Sequence, residues 1–252
     1  MRHARSALLL AAALGVVALG ACGSSSSTRL EVSAAASLRA AFGEYAKTLK
    51  KIQPRYSFAG SDALAAQIEQ GVKPDVFGSA NTKLPDMLYA KGLVEKPVVF
   101  AANKLVIAVP TGSKITGIES LAKKGVTISV GSATVPVGAY TAKVLARLPA
   151  AEQRALTANI HDREPDVTGI VGKLAEGAID AGFLYATDVK AAGDALKAIE
   201  LPASLQPQVA YAIAVVKGSS HSGQGRTFIS GLLSGQGSKD LLKAGFLPPP
   251  AR

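Results

Sequence analysis

The feature that most constrains this chain is the order in which its apolar segments change period. Residues 30–36, Leu-Glu-Val-Ser-Ala-Ala-Ala, read as a buried strand. The next segment places Leu38, Ala41, Phe42, Tyr45, Leu49 and Ile52 at helical spacing, with Ser37 where an N-cap belongs. The switch then repeats. A strand at 55–59 meets the Gly60-Ser61 turn, a helix at 62–70 is stopped by Gly71, and a strand follows at 75–79. A helix at 84–91 ends at Gly92, a candidate C′ residue. Further strands are expected at 104–109, 126–130, 178–185 and 209–216. Further helices are expected at 118–124, at 136–148 with Pro136 in its first turn, and at 166–177 with Asp166 as N-cap. Two more helices, at 228–233 and 239–243, close the chain. This alternation predicts an α/β fold with largely parallel sheets. The two long apolar strands, 104–109 and 209–216, are suited to carry the chain between two lobes. Lobe 1 would comprise 29–105 plus 213–252, and lobe 2 would comprise 106–212. Two lobes joined by two crossovers enclose a cleft that can hinge shut.

The first residues read as an address. Arg2 and Arg5 precede an uncharged apolar run at 8–20, too short to span a bilayer comfortably. The run ends in Leu19-Gly20-Ala21-Cys22, and Cys22 is the sole cysteine. This pattern resembles a bacterial lipoprotein signal, which implies cleavage of 1–21 and acylation of Cys22. Residues 22–28, rich in Ser, then form a flexible tether. Removing the leader leaves 231 residues and lowers the formal charge from +10 to +8, through loss of Arg2 and Arg5. One cysteine excludes a disulfide framework. A chain that is 48% hydrophobic and 18% charged is not intrinsically disordered. With no Trp and 5% aromatics it lacks a stacking surface for single-stranded nucleic acid. Its basic pairs, Lys50-Lys51 and Lys123-Lys124, are isolated. Together with export, these features argue against nucleic acid as a partner.

Catalytic constellations are sparse. His161 and His221 are far apart, and His3 lies in the leader. No nucleophile elbow, P-loop or complete dinucleotide fingerprint occurs. The positive signal lies in the strand-to-helix turns. Ligands of α/β sheets bind beyond the carboxyl ends of the strands. Helix N-termini there present unpaired N–H groups and positive dipole ends, which suit an anion. Four turns qualify: Ser37, Ser61, Pro136-Val137-Gly138 and Asp166-Val167-Thr168. An ordinary helix cap is the alternative for each of them taken singly.

These residues carry a family likeness. Val32-Ser33-Ala34-Ala35-Ala36-Ser37-Leu38 and Phe58-Ala59-Gly60-Ser61 resemble segments of the periplasmic molybdate-binding proteins of molybdate ABC transporters. Asp75-Val76-Phe77-Gly78-Ser79-Ala80, Asn103-Lys104-Leu105-Val106 and Val135-Pro136-Val137-Gly138-Ala139-Tyr140 follow in order. Gly182-Phe183-Leu184-Tyr185-Ala186-Thr187-Asp188 and Tyr211-Ala212-Ile213-Ala214-Val215 complete the set. The resemblance implies a type II periplasmic-binding-protein fold with a ligand cleft between two lobes. It implies an extracytoplasmic, lipid-anchored monomer that captures molybdate or tungstate and delivers it to an ABC permease, with no cofactor and no catalysis. Carried over, Ser37 and Ser61 supply hydroxyl and backbone donors, Val137 and Val167 supply backbone N–H groups, and Tyr185 supplies its phenol. Ala36 and Gly60 frame the serine turns as secondary donors. A fully ionised dianion offers only acceptors, so neutral donors match it.

The sequence also departs from the family pattern. Asp62 stands beside Ser61, where its carboxylate must point away from an anion. Val137 replaces a typical Ala, and Arg39 stands near the expected cleft mouth. Two other readings remain open: a binding protein for sulfate, phosphate or ferric ion, and an exported enzyme using His161 as a base.

Overall fold

A computed structural model describes residues 27–250. The expected leader (1–21) and Cys22 lie outside the described residues. The chain opens with β1 (Thr28–Ala35), a 3-10 turn (Ala36–Leu38) and α1 (Arg39–Thr48). Then come β2 (Ile52–Ala59), α2 (Ser61–Glu69), β3 (Val76–Ser79), α3 (Lys83–Ala90) and β4 (Val98–Asn103). The middle of the chain holds β5 (Leu105–Pro110), α4 (Ile118–Leu121), β6 (Ile128–Gly131), α5 (Pro136–Leu145), α6 (Ala150–Ala158) and β7 (Ile160–Glu164). It continues with α7 (Val167–Ala175), β8 (Ala181–Tyr185), α8 (Ala186–Ala192) and β9 (Leu196–Glu200). The chain closes with β10 (Val209–Val215), α9 (Ser222–Ser234) and α10 (Gln236–Ala244).

Two five-stranded sheets result, in the orders β2-β1-β3-β10-β4 and β7-β6-β8-β5-β9. In the first sheet β1 pairs parallel with β2 and β3, while β10 runs antiparallel to β3 and β4. In the second, β6 pairs parallel with β7 and β8, while β5 runs antiparallel to β8 and β9. Each sheet is therefore mixed, where the alternation of periods had predicted mostly parallel pairing. Each receives one strand from the segments joining the sheets, and that strand enters in the opposite direction.

The chain leaves the first sheet along an almost continuous extended run, β4 then β5, with Lys104 at the joint. It returns through 201–208, ahead of β10. The expected crossover at 212/213 falls inside β10, whose Val209 and Ala210 already face Asn103 and Ala102 in the first sheet. The apolar run 209–216 is thus a central strand, covered on both faces, which is why it reads as uniformly hydrophobic. Leu105 and Val106 likewise pair within the second sheet.

Several elements carried little sequence signal. β7 (Ile-His-Asp-Arg-Glu) and β9 (Leu-Lys-Ala-Ile-Glu) are edge strands of the second sheet, and their charged residues blunt the edge. Helix α6 buries only Leu156. Gly92 adopts φ 72° after α3, as a left-handed C′ residue requires. The expected cap at Ser37 is a correction: Ser37 lies inside the 3-10 turn and its side chain caps nothing. Asp166 does cap α7, accepting from Thr168 N at 2.6 Å.

Candidate functional site

The carboxyl ends of the six parallel-paired strands meet at one cavity. β1 delivers Ala35, Ala36 and Ser37 to its wall, β2 delivers Ala59, Gly60 and Ser61, and β3 delivers Ala80. From the second sheet, the turn after β6 delivers Val135, Pro136 and Val137, the turn after β7 delivers Asp166 and Val167, and β8 delivers Tyr185. All five residues expected as primary donors line this wall, as do Ala36 and Gly60. The space open to the centre of a water-sized sphere is about 20 Å³. A sphere of that volume has a radius of about 1.7 Å; adding the 1.4 Å radius of a water gives an occupant about 3.1 Å in radius. A small compact ion fits, and a sugar or a nucleotide does not.

Close approach of the sheets depends on Gly60. A Cβ built there would lie 2.4 Å from the Pro165 carbonyl oxygen and 3.3 Å from Val135 Cγ1, both across the cleft. Gly60 precedes α2, so the absent side chain lets the helix N-terminus reach the opposite lobe.

The donors are arranged in one direction. Ser61 is almost fully buried, and its Oγ accepts from Ala80 N at 3.1 Å. A backbone N–H only donates, so the Ser61 O–H stays free. Ser37 Oγ lies 2.9 Å from Tyr211 Oη. The N–H groups of Ser61, Val137 and Val167 belong to first helical turns and have no carbonyl partner within their helices. They find none elsewhere among the described residues. Tyr185 is 1% exposed, and its hydroxyl meets no partner in hydrogen-bond geometry among the described residues. Burial, helped by the nearby Tyr211, Tyr140 and Asp188 oxygens, raises its pKa well above the usual tyrosine value, so the phenol stays protonated. A buried hydroxyl without a partner costs about 1–3 kcal/mol, a cost that an acceptor in the cavity would remove.

Behind this wall, Asp188 accepts from the Tyr185 backbone N at 3.0 Å and so ties the end of β8 to the first turn of α8. Burial, reinforced by the Asp166 charge and opposed by that hydrogen bond, pushes the Asp188 carboxyl up to about 7. Asp166 is the one charged residue on the cavity wall among the described residues. Its carboxylate is engaged with the α7 N-terminus. Asp62 stands in the first turn of α2 and does not line the cavity. Arg39 is exposed, with its guanidinium 4.6 Å over the Phe58 ring, at an adjoining groove that also touches Ala36 and Ser37. His161 is exposed on edge strand β7, away from the cavity. Among the described residues no three His, Cys, Asp or Glu side chains are grouped to hold a metal ion.

Sequence reasoning missed Tyr211, Ala80 and the part played by Asp188. Asp188 stands three residues after Tyr185, the spacing of a capping box, and was detectable on that ground. Ala80 gave no signal, because its contribution is a backbone N–H.

Residues 30–247 match the family described as bacterial extracellular solute-binding protein. The chain belongs to that family. The molybdate-binding protein ModA of Mycobacterium tuberculosis is 31% identical over 258 residues, covering 95% of this chain and 97% of the relative. Among solved structures, the substrate-binding domain of a putative molybdenum ABC transporter from Clostridium difficile is 28% identical. It superposes with a TM-score of 0.67 over 88% of this chain and 99% of its own. The sulfate-binding protein SubI of M. tuberculosis superposes at 0.78 over 88% and 87%, but at 18% identity that likeness is one of fold alone. These relatives are solute-binding proteins, and the two-lobed periplasmic-binding-protein architecture of this chain is theirs.

Proposed function

We propose that the chain is the extracytoplasmic substrate-binding protein of an ABC importer and that it captures molybdate, with tungstate as a second ligand. The observation that carries this reading is the Tyr185 hydroxyl, buried and without a hydrogen-bond partner among the described residues, on a wall whose one carboxylate, Asp166, is already engaged by the Thr168 N–H. A tetrahedral dianion supplies the missing acceptors without requiring a cation. In this reading Ser37, Ser61 and Tyr185 donate through hydroxyls, Val137 and Val167 donate through backbone N–H groups, and Ala36 and Gly60 are secondary donors. Ferric ion is disfavoured, since its site would need clustered carboxylates. Sulfate carries the same charge but is smaller, so its oxygens would not reach both walls together.

Closure follows from the two-sided site. A ligand bonded to both lobes favours the closed state by its differential affinity for it. The contact of Gly60 with Pro165 and Val135 sets how far closure can go. The lobes in this reading are 29–105 plus 213–252 and 106–212. Acylated Cys22 would hold the monomer at the membrane surface near its permease, and the residual +8 charge would modestly speed anion capture at low salt.

Thermal unfolding of the mature chain with molybdate, tungstate, sulfate and phosphate at equal ionic strength tests the ligand. At about a hundred times Kd, a ligand adds about 2.7 kcal/mol. That amounts to roughly 5–11 °C for a chain of this size. A shift with molybdate and tungstate alone is expected. An equal shift with sulfate would transfer the reading to a general oxyanion binder.

A further inference from the structure

We infer that the Tyr211 hydroxyl is a positioning group for the anion site: it donates to Ser37 Oγ and so turns the Ser37 O–H toward the cavity. The inference rests on the function proposed above.

The two serines of the first lobe occupy equivalent places, each just after a parallel strand, yet they are held differently. Ser61 is oriented by the Ala80 N–H, which can only donate. Ser37 has one protein partner among the described residues, the Tyr211 hydroxyl, and either oxygen of that pair could donate. A serine hydroxyl has a single proton and two lone pairs. Were Ser37 to give its proton to Tyr211, it would present only lone pairs to an anion. With Tyr211 donating instead, Ser37 keeps its proton for the ligand, and both serines become donors of fixed direction.

Tyr211 is built for that task. It is fully buried on β10, in the same sheet as β1, so the pair belongs to one lobe. Its ring makes edge contacts with Phe246 at 5.2 Å, Tyr185 at 5.7 Å and Phe100 at 6.3 Å. These contacts leave the ring no freedom to swing the hydroxyl away. Burial keeps the phenol protonated. Tyr211 is not on the cavity wall, so it acts on an anion through its neighbours there, Ser37 by a hydrogen bond and Tyr185 by a ring-edge contact.

The test is a double-mutant cycle read by isothermal titration of the mature chain. The variants are Tyr211→Phe, Ser37→Ala and the double variant, titrated with whichever of molybdate and sulfate binds the wild type. Tyr211→Phe keeps the ring contacts and is expected to weaken binding about three- to tenfold, the range of one neutral hydrogen bond. Ser37→Ala should weaken it more, and the double variant should match Ser37→Ala within about twofold, because the tyrosine then has nothing to orient. Binding by Tyr211→Phe as tight as wild type overturns the inference. So does a double variant weaker than Ser37→Ala by the full Tyr211→Phe factor. Binding of sulfate alone would sink the molybdate reading and leave the cycle measurable; binding of neither anion would overturn both. If Tyr211→Phe does not fold, 3-fluorotyrosine placed at position 211 alone supplies a ¹⁹F signal in the folded chain. It should shift on anion saturation in wild type and stay fixed in Ser37→Ala; a signal unmoved in wild type overturns the inference.

Discussion

Replacing Tyr185 by Phe should separate stability from binding. The substitution removes one oxygen from a fully packed ring and leaves the edge contacts with Tyr140 and Tyr211 in place. That oxygen has no partner in hydrogen-bond geometry among the described residues, so no well-formed internal hydrogen bond is lost. The ligand-free variant should therefore be at least as stable as wild type, and more stable by up to about 1 kcal/mol where the hydroxyl is desolvated. At roughly 2–4 °C per kcal/mol, the unfolding temperature should stay level or rise by a few degrees. Binding should move the other way. A hydrogen bond to a charged acceptor contributes about 1.5–3 kcal/mol, so the molybdate Kd should rise about 10- to 150-fold. At a ligand concentration of 1,000 times the wild-type Kd, wild type gains about 4.1 kcal/mol, while the variant gains only about 1–3 kcal/mol. Paired unfolding curves with and without molybdate read both effects. Lowered stability of the free variant together with undiminished affinity would refute the reasoning, because the hydroxyl would then have a structural role and no ligand.

Three other outcomes follow. Ser61→Ala should lose affinity on the same scale as Tyr185→Phe but also lose about 1 kcal/mol of stability, since Ala80 N–H is left without its acceptor; calorimetry that finds no loss of either kind contradicts the donor assignment. Gly60→Val should weaken molybdate binding at least tenfold and keep the scattering radius of the ligand-saturated chain at its ligand-free value, because its Cβ collides with the Pro165 carbonyl; normal compaction would contradict this. Asp188→Asn should remove a pH dependence. The folded carboxyl titrates near 7 and the unfolded one near 4, so its contribution is full below about pH 4 and declines as pH rises through 7. The variant, whose amide oxygen can still accept from Tyr185 N, should gain on wild type in unfolding temperature between pH 5 and 8; a constant difference would show that Asp188 is ionised throughout.

Much of the site was legible because it is made of turns. A strand ending in small residues, a hydroxyl residue and then a helical period leaves a trace in the sequence, and Ser37, Ser61, Val137 and Val167 all sit at such switches. Tyr185 was carried by family likeness alone, since a tyrosine closing an apolar strand reads equally as core. Tyr211 was hidden for the same reason: within Val209–Val215 nothing separates its polar tip from the aliphatic run around it. The fold was misread where strands are edges or joints. β7 and β9 carry charges in place of an apolar pattern, and β4, separated from β5 by a single residue, was not read as a strand beside the more strongly apolar run at 104–109. Period in sequence reports burial, and it does not say which sheet does the burying.

The most direct measurement is the anomalous X-ray signal at the molybdenum edge from crystals of the mature chain grown with molybdate. One peak is expected, between Ser37 and Ser61 on one side and Val137, Val167 and Tyr185 on the other. A peak at any other place, or none in that cavity at saturating molybdate, would contradict the account.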